Sequence, residues 1–445
     1  FKSIIQRGII MNTMKYSGVD WIGEIPCDWD LKRIQFCLNE ISVKNNPPQT
    51  EQVLSLVKNK GVMLYEEKGN QGNKSKENLT EYKLAYPNTL VVNSMNILIG
   101  SVGISKYFGC VSPVYYVFEE TELCDLEYIN YIFSTTEFQK ELKKYAKGIL
   151  EIRLRVSALN IFKRKIPLPS KSEQQKISKY LNIKVKTIEN RINKLNILIE
   201  KYKEYKQSLI TEVVTKGLNS NVEIKDSGIE WIGEIPKHWT TIYLKYASWL
   251  KGRIGWQGLK ASEFVDEGPY LITGTDFDKG IINWNTCVHI TEERFHQDTA
   301  IHIKEGDLLI TKDGTIGKVA IAINCPEKVS LNSGVFIIRN NRKYKYYSRF
   351  IYHLLQSEQF TKWFDLSNNG NSTIKHLTQE QFYNFQFSYP PIEEQKEIAE
   401  YLDEKCEYID SIIDEKEKLI VKLEEYKKSL IYEYVTGKKE VPDEI

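Results

Sequence analysis

The side chains best suited to catalysis are scattered along this chain, whereas those suited to holding an anion are gathered. Cys27, Cys37, Cys110, Cys124, Cys287, Cys325 and Cys406 form no C-x-x-C pair, so the sequence signals neither a zinc site nor a disulfide framework. His238, His289, His296, His302, His353 and His376 show no metal-ligand spacing on a helix. Chemistry on a flipped adenine needs an acid or Asn, prolines and an aromatic ring; Asn46-Pro47-Pro48-Gln49 supplies no ring and reads as a loop. No G-x-G-x-x-G fingerprint or G-x-x-x-x-G-K-[ST] phosphate loop occurs, and Gly314-Thr315-Ile316-Gly317-Lys318 reads as a hairpin turn between two strand-like runs. Catalysis is not expected from the chain itself.

Cations are the stronger signal. The formal net charge is only +2, yet residues 140–165 carry nine Lys and Arg against two Glu, and residues 339–376 carry seven against two acids. Such local surpluses are the footprint of a nucleic-acid binder. A duplicated coiled-coil adaptor with no such role would leave the paired clusters unexplained. At 445 residues, 41% hydrophobic and 27% charged, the chain is an ordinary soluble protein of two or three domains. No run of about 18 apolar residues is present, and FKSIIQRGII lacks the apolar core and cleavage site of a secretory signal, so a cytoplasmic protein with free thiols and no membrane contact is expected. Residues 1–10, ahead of Met11 and Met14, read as an upstream extension without a role.

The elements that must position these clusters occur twice. MKYSGVDWIGEIPCDWDLKRIQ (Met14–Gln35) returns 210 residues later as IKDSGIEWIGEIPKHWTTIYLK (Ile224–Lys245), and EQQKISKYL (Glu173–Leu181) returns 221 residues later as EQKEIAEYL (Glu394–Leu402). Trp21, Trp29, Trp231 and Trp239 recur within these boxes, as packing anchors of a common frame would. After the second motif, Leu181, Val185, Ile188, Ile192, Leu195, Ile199, Tyr202, Leu209 and Val213 step by fours and threes, and Leu402, Cys406, Ile409, Ile413, Ile420, Leu423, Leu430 and Tyr434 follow the same register. Lys206 and Lys427 take equivalent seam positions, and Gly217 and Gly437 end the two runs. Residues 171–217 hold eleven basic and five acidic side chains and residues 392–438 hold eight and fourteen, so the segments carry +6 and −6. Opposite charge favours pairing of the helices with each other over a homodimer zipper. A pseudo-two-fold relating the repeats makes the pair antiparallel, with a reach of about 65 Å at 1.5 Å per residue.

Between each box and its helix lies a block that is not repeated in letters, from about Glu40 to Pro167 and from about Lys245 to Tyr389. Short β-rich runs broken by Gly, Asn and Asp alternate with helical patches at Tyr128–Ala146 and Tyr346–Phe364. Two mixed α+β domains follow.

The SGxxWIGEIPxxW boxes, the GDLLITKDGTIGKVAI segment, the PLPSKSEQQKI and PPIEEQKEIAEYL helix starts and the duplication itself resemble the specificity subunit of type I restriction-modification systems, over about Met14 to Gly437. The resemblance implies an α+β fold with two target recognition domains joined by two long antiparallel coiled-coil helices. The expected segments are a first box and recognition domain (14–167), a central spacer helix (168–218), a second box and recognition domain (224–389) and a C-terminal spacer helix (390–438). It also implies a non-catalytic reader of a split, asymmetric double-stranded DNA sequence, on which two methyltransferase subunits dock and which restriction subunits join. No cofactor of its own is implied; S-adenosylmethionine, and ATP with Mg²⁺ for restriction, belong to the partners. The second block is 11 residues longer, and GILEIRLRV of the first does not copy GNSTIKHLT of the second.

Reading DNA requires hydrogen bonds to base edges and cations on phosphates: Arg or Lys with guanine, Asn or Gln with adenine. In the first block the candidates are Asn93, Ser94, Asn96, Ser105, Lys106, Lys147, Arg153 and Arg155. In the second they are Lys251, Arg253, Trp256 and Gln257; Thr273, Thr275 and Asp276; Lys312, Asp313, Thr315 and Lys318; and Asn371, Ser372, Lys375 and His376.

Overall fold

The computed structural model describes residues 13–57, 60–69, 78–148, 154–254, 259–341, 343–368 and 376–442. The chain divides into two compact units, one of residues 1–195 with 417–445, the other of residues 196–416. Each long helix, Lys171–Lys216 and Ile392–Val435, therefore gives one half to each unit.

In the first unit the box is a hairpin of Met14–Tyr16 with Glu24–Pro26, and Asp30–Arg33 pairs with Lys165–Leu168, the strand that feeds the first long helix. Ile22, Ile25 and Trp29 are buried, which explains the apolar positions of WIGEIP, and the Trp29 indole donates to Glu173 at the helix start (3.3 Å). The recognition block carries an antiparallel sheet in the order Leu38–Glu40, Tyr115–Glu120, Leu90–Asn93, Val102–Ile104. The expected helical patch is two helices, Leu126–Ser134 and Thr136–Lys143, interrupted where Thr135 caps the second. Asp125 caps the first by accepting from the Tyr128 N–H (2.8 Å), and its own N–H donates to Gln174 of the long helix (2.9 Å). Block and helix are thereby fastened at the repeated EQQ motif.

The second unit repeats the plan with additions. Ile224–Asp226 pairs with Glu234–Pro236, Thr240–Tyr243 pairs with Gln386–Tyr389, and the Trp239 indole donates to Glu394 (2.8 Å). Its sheet runs Ser248–Gly252, Val335–Asn340, Leu308–Thr311, Val319–Ile321, Ile281–Ile282, Phe277–Asp278. Val265–Ile272, which the sequence did not announce as a separate layer, pairs with Val288–His289 and Val329–Leu331 in a smaller sheet whose Ile272, Val329 and Leu331 share a core with Leu309, Val335 and Ile337 of the larger one. Helices Ser348–Leu354 and Glu358–Ser367 fill the place of the first unit's pair, and Gln395 accepts from the Tyr347 N–H (2.9 Å) as Gln174 does from Asp125.

Within the first unit Leu181, Ile188 and Ile192 share a core with Leu430, Ile431 and Tyr434. Tyr180 meets Tyr434 and Glu189 meets Lys427 (3.5 Å), so numbers rise on one helix as they fall on the other. Within the second unit Ile210 and Val213 pack with Leu402 and Cys406, and Lys206 binds Asp410 (2.7 Å). Both seam lysines thus find a carboxylate on the opposite helix, at equivalent positions. With Lys206 a quarter exposed and Asp410 two-fifths exposed, such a pair contributes at most about 1 kcal/mol and acts chiefly on register. The helices end against the boxes: Gly217 (φ +76°) sits on Trp239 and Gly437 (φ +70°) on Trp29, where an added Cβ would lie 3.1 Å from either indole. Glycine alone meets both demands at low cost.

Candidate nucleic-acid interface

In the second unit three strands end on one rim, because Gly252 pairs with Phe336 and Thr311 with Val335. The turn 312–318 leaves this rim in a fixed shape. Thr311 Oγ1 donates to the Thr315 carbonyl (2.6 Å) and accepts from the Lys318 N–H (3.0 Å), while the Gly317 N–H donates to the Thr311 carbonyl (3.0 Å). Thr315 and Lys318 are exposed, and Lys312 holds its ammonium over the Phe336 ring (4.9 Å). The end of the loop preceding Leu377 comes to the same place: the Leu377 N–H donates to the Lys312 carbonyl (3.0 Å), and His376 bonds Asp313 (2.7 Å).

The first unit builds an equivalent rim from other letters. Asn93 pairs with Tyr115, and Ser94 Oγ donates to the Val114 carbonyl (2.6 Å). The turn that follows closes through Asn93 N–H to Ser101 O and Ser101 N–H to Asn96 O, both 3.1 Å. Lys147 and Arg155 exchange backbone hydrogen bonds at 2.9 Å, and the next N–H, of Val156, donates to the Ser94 carbonyl (3.0 Å). Val156 is to Ser94 what Leu377 is to Lys312. GILEIRLRV and GNSTIKHLT, unlike in sequence, lead to corresponding positions. Each rim brings exposed cations next to a turn carrying amide or hydroxyl groups.

The family profile described as "Type I restriction modification DNA specificity domain" matches residues 255–425. The type I restriction enzyme MjaVIII specificity subunit of Methanocaldococcus jannaschii is 27% identical over 363 residues, spanning 78% of this chain and 80% of that protein. The relatives this chain is similar to are type I restriction-modification specificity subunits. The EcoBI specificity subunit of Escherichia coli is 22% identical over 56% of this chain and 52% of its own length. Among solved structures, a chain described under "Structural basis underlying complex assembly and conformational transition of the type I R-M system" superposes with a TM-score of 0.70 at 14% identity, over 93% of this chain and 99% of that one. The HsdS subunit from Thermoanaerobacter tengcongensis gives 0.50 at 14% identity, over 93% and 98%. Specificity subunits are non-catalytic, and the two-domain fold with long helices is theirs.

Not every residue expected to read bases faces outward. Asn93, Ser94, Ser105, Arg253 and Asp276 were expected at a base-reading surface, and the structure buries them. Their hydrogen bonds are spent within the fold, on turns or on neighbouring strands. Asp276 accepts from the Thr273 N–H (2.7 Å) and from Thr286 Oγ1 (3.0 Å), and Ser105 Oγ donates to the Tyr107 carbonyl (2.9 Å). Arg253, 1% exposed, donates to the Leu331 carbonyl (2.7 Å) and to Ser330 (3.1 Å), and burial holds its pKa below the usual guanidinium range. Lys251 is half-buried and paired with Asp298 (3.6 Å). Thr273 and Thr275 share a hydrogen bond of 2.7 Å, in a turn whose Gly274 packs on the Thr311 methyl. Lys106 is exposed and lines a groove with Tyr131 and Asn182. Asn96, Lys147, Arg155, Lys312, Asp313, Thr315, Lys318 and His376 form the two rims. Arg153, Trp256, Gln257, Asn371, Ser372 and Lys375 lie outside the described residues. Sequence reasoning missed Met95, exposed at the first turn, and Phe336, the ring beneath Lys312. Their only signal was adjacency to a turn.

Proposed function

We propose that each rim reads one half of a bipartite, asymmetric double-stranded DNA site, and that the paired helices hold the two halves at a set spacing. The observation that carries this reading is the equivalence of the Val156–Ser94 and Leu377–Lys312 bonds: two corresponding platforms present different side chains. Equal mounting with unequal lettering is what an asymmetric split site demands. The duplicated frame offers two like faces for two methyltransferase subunits, with restriction subunits joining them in the cytoplasm. S-adenosylmethionine, and ATP with Mg²⁺, would serve those partners.

The test is methylome sequencing of a host carrying this chain with its methyltransferase subunits. Lys312→Ala with Lys318→Ala is expected to relax or abolish the half-site read by the second unit and leave the other half legible. If both halves change together, independent reading by the rims is wrong.

A further inference from the structure

The sheet of the second unit has another end, at the Ser248–Asn340 pair, opposite the Gly252–Phe336 pair of the rim. Tyr243, Tyr246, Trp249 and Tyr344 are each between 38% and 48% exposed there. Cations are interleaved with them. Lys245 lies over the Tyr243 ring (4.8 Å) and the Tyr246 ring (5.3 Å), Arg339 over Trp249 (5.6 Å) and Lys343 over Tyr344 (5.3 Å). The two segments form one surface, because the Asn341 N–H donates to the Ala247 carbonyl (2.7 Å) and Ser248 Oγ bonds the Tyr346 hydroxyl (3.0 Å).

Charge indicates the partner. Residues 239–251 and 339–349 together contain seven Lys and Arg and no acid. Arg339, Arg349 and Lys251 are neutralised by Asp307 (2.7 Å), Asp403 (2.7 Å) and Asp298 (3.6 Å), whereas no ion pair holds Lys245, Lys343 or Lys345 among the described residues. The stretch of the first unit that corresponds to 339–349, Glu119–Glu127, has five acids and no cation, and in the segment beside it Tyr243, Lys245 and Trp249 are replaced by Arg33, Gln35 and Asn39. A partner that docks alike on both units cannot be what this face serves. Exposed rings interleaved with cations, of which Lys245, Lys343 and Lys345 hold no ion pair among the described residues, fit unpaired bases that stack while their phosphates are neutralised.

We propose that this face of the second unit is an additional nucleic-acid contact, a stacking platform for single-stranded DNA, separate from the rim that reads duplex. The experiment compares binding of fluorescein-labelled oligo(dT) of roughly 15 nucleotides, near the upper range of single-strand site sizes, with binding of duplex, using the full chain with its methyltransferase subunits. Tyr246→Ser with Trp249→Ser is expected to weaken oligo(dT) binding roughly tenfold or more while duplex binding is retained. Lys245→Gln with Lys343→Gln, which removes no packed ring, is expected to lower the salt dependence of oligo(dT) binding and keeps the test open if the ring variant unfolds. Absence of oligo(dT) binding by the wild type at low salt overturns the proposal, as does unchanged binding in both variants. Loss of a methyltransferase subunit on gel filtration with oligo(dT) binding intact would make this a protein-docking face and overturn it equally.

Discussion

Lengthening the helical pair tests whether it sets the gap between half-sites, and the ion pairs dictate how. From Glu189 to Lys206 is 17 residues on the first long helix, and from Asp410 to Lys427 is 17 on the second. Four residues inserted only between Lys194 and Leu195 make these stretches unequal, so one pair and the seam around it must yield. Four inserted there and four more between Val421 and Lys422 keep them matched. Each helix then grows by about 6 Å at 1.5 Å per residue, roughly two base-pair steps of about 3.4 Å. A matched insertion of seven residues restores the heptad and adds about 10 Å, roughly three steps. Methylome mapping is expected to show unchanged half-sites with a gap wider by one or two bases for the matched four and by about three for the matched seven. The one-helix insertion is expected to melt earlier than the matched one. Intact methylation with an unchanged gap in both matched variants, or an altered half-site, would refute the spacing role.

Three further outcomes are expected. Lys147→Glu with Arg155→Glu should weaken binding to all sequences and reduce the slope of log K against log salt by roughly 2 in magnitude, since each phosphate contact contributes about 0.9; an unchanged slope would remove both from the interface. Gly217→Ala forces a left-handed alanine against Trp239 and should cost about 1–2 kcal/mol, read as a lower midpoint in urea, and Gly437→Ala should lower it further, because its Cβ would overlap Pro26 Cδ as well as lie 3.1 Å from Trp29. Stability of the second unit should fall on acidification from pH 7.5 to 5.5. His353 is buried, bonds Asp403 (2.7 Å) and has no partner for Nδ1 among the described residues, and burial lowers its pKa. The unfolded chain therefore takes up the proton first, so stability is full above about pH 6.5 and is lost as pH falls below it. His353→Tyr, copying Tyr131 of the first unit, should flatten that dependence; an equally steep profile would exclude His353 as its source.

The frame was largely legible in the sequence, and the rims only partly. Helical seams announce themselves because an apolar period sustained over many turns fits little besides a long packed helix, and Leu181, Ile188, Ile199, Leu402 and Ile409 are buried as their spacing requires. The hairpins carrying Asn93–Ser101 and Thr311–Lys318 were equally readable from strand runs flanking a turn. Composition could not tell a polar side chain that shapes a turn from one that leaves it. Asp276 and Ser105 fold back onto neighbouring backbone or hydroxyl groups, whereas Thr315 and Asn96, of the same chemical type, stay near solvent. Arg253 escaped prediction for another reason: its acceptor, the Leu331 carbonyl, lies 78 residues away in sequence.

The closure of Gly437 onto Trp29 also bears on how the protein is made. Residues 196–416 are continuous and can assemble as they leave the ribosome, but the first unit lacks the segment that covers Leu181, Ile188 and Ile192 until residues 417–437 have been synthesised. At about 5–20 residues per second that is a delay of roughly twelve to fifty seconds, during which an apolar seam has no native cover. Nascent chains of this protein must therefore be sheltered longest at the half that emerges first, and a chain that stops before its final helix turns is marked for removal by the surface it cannot hide.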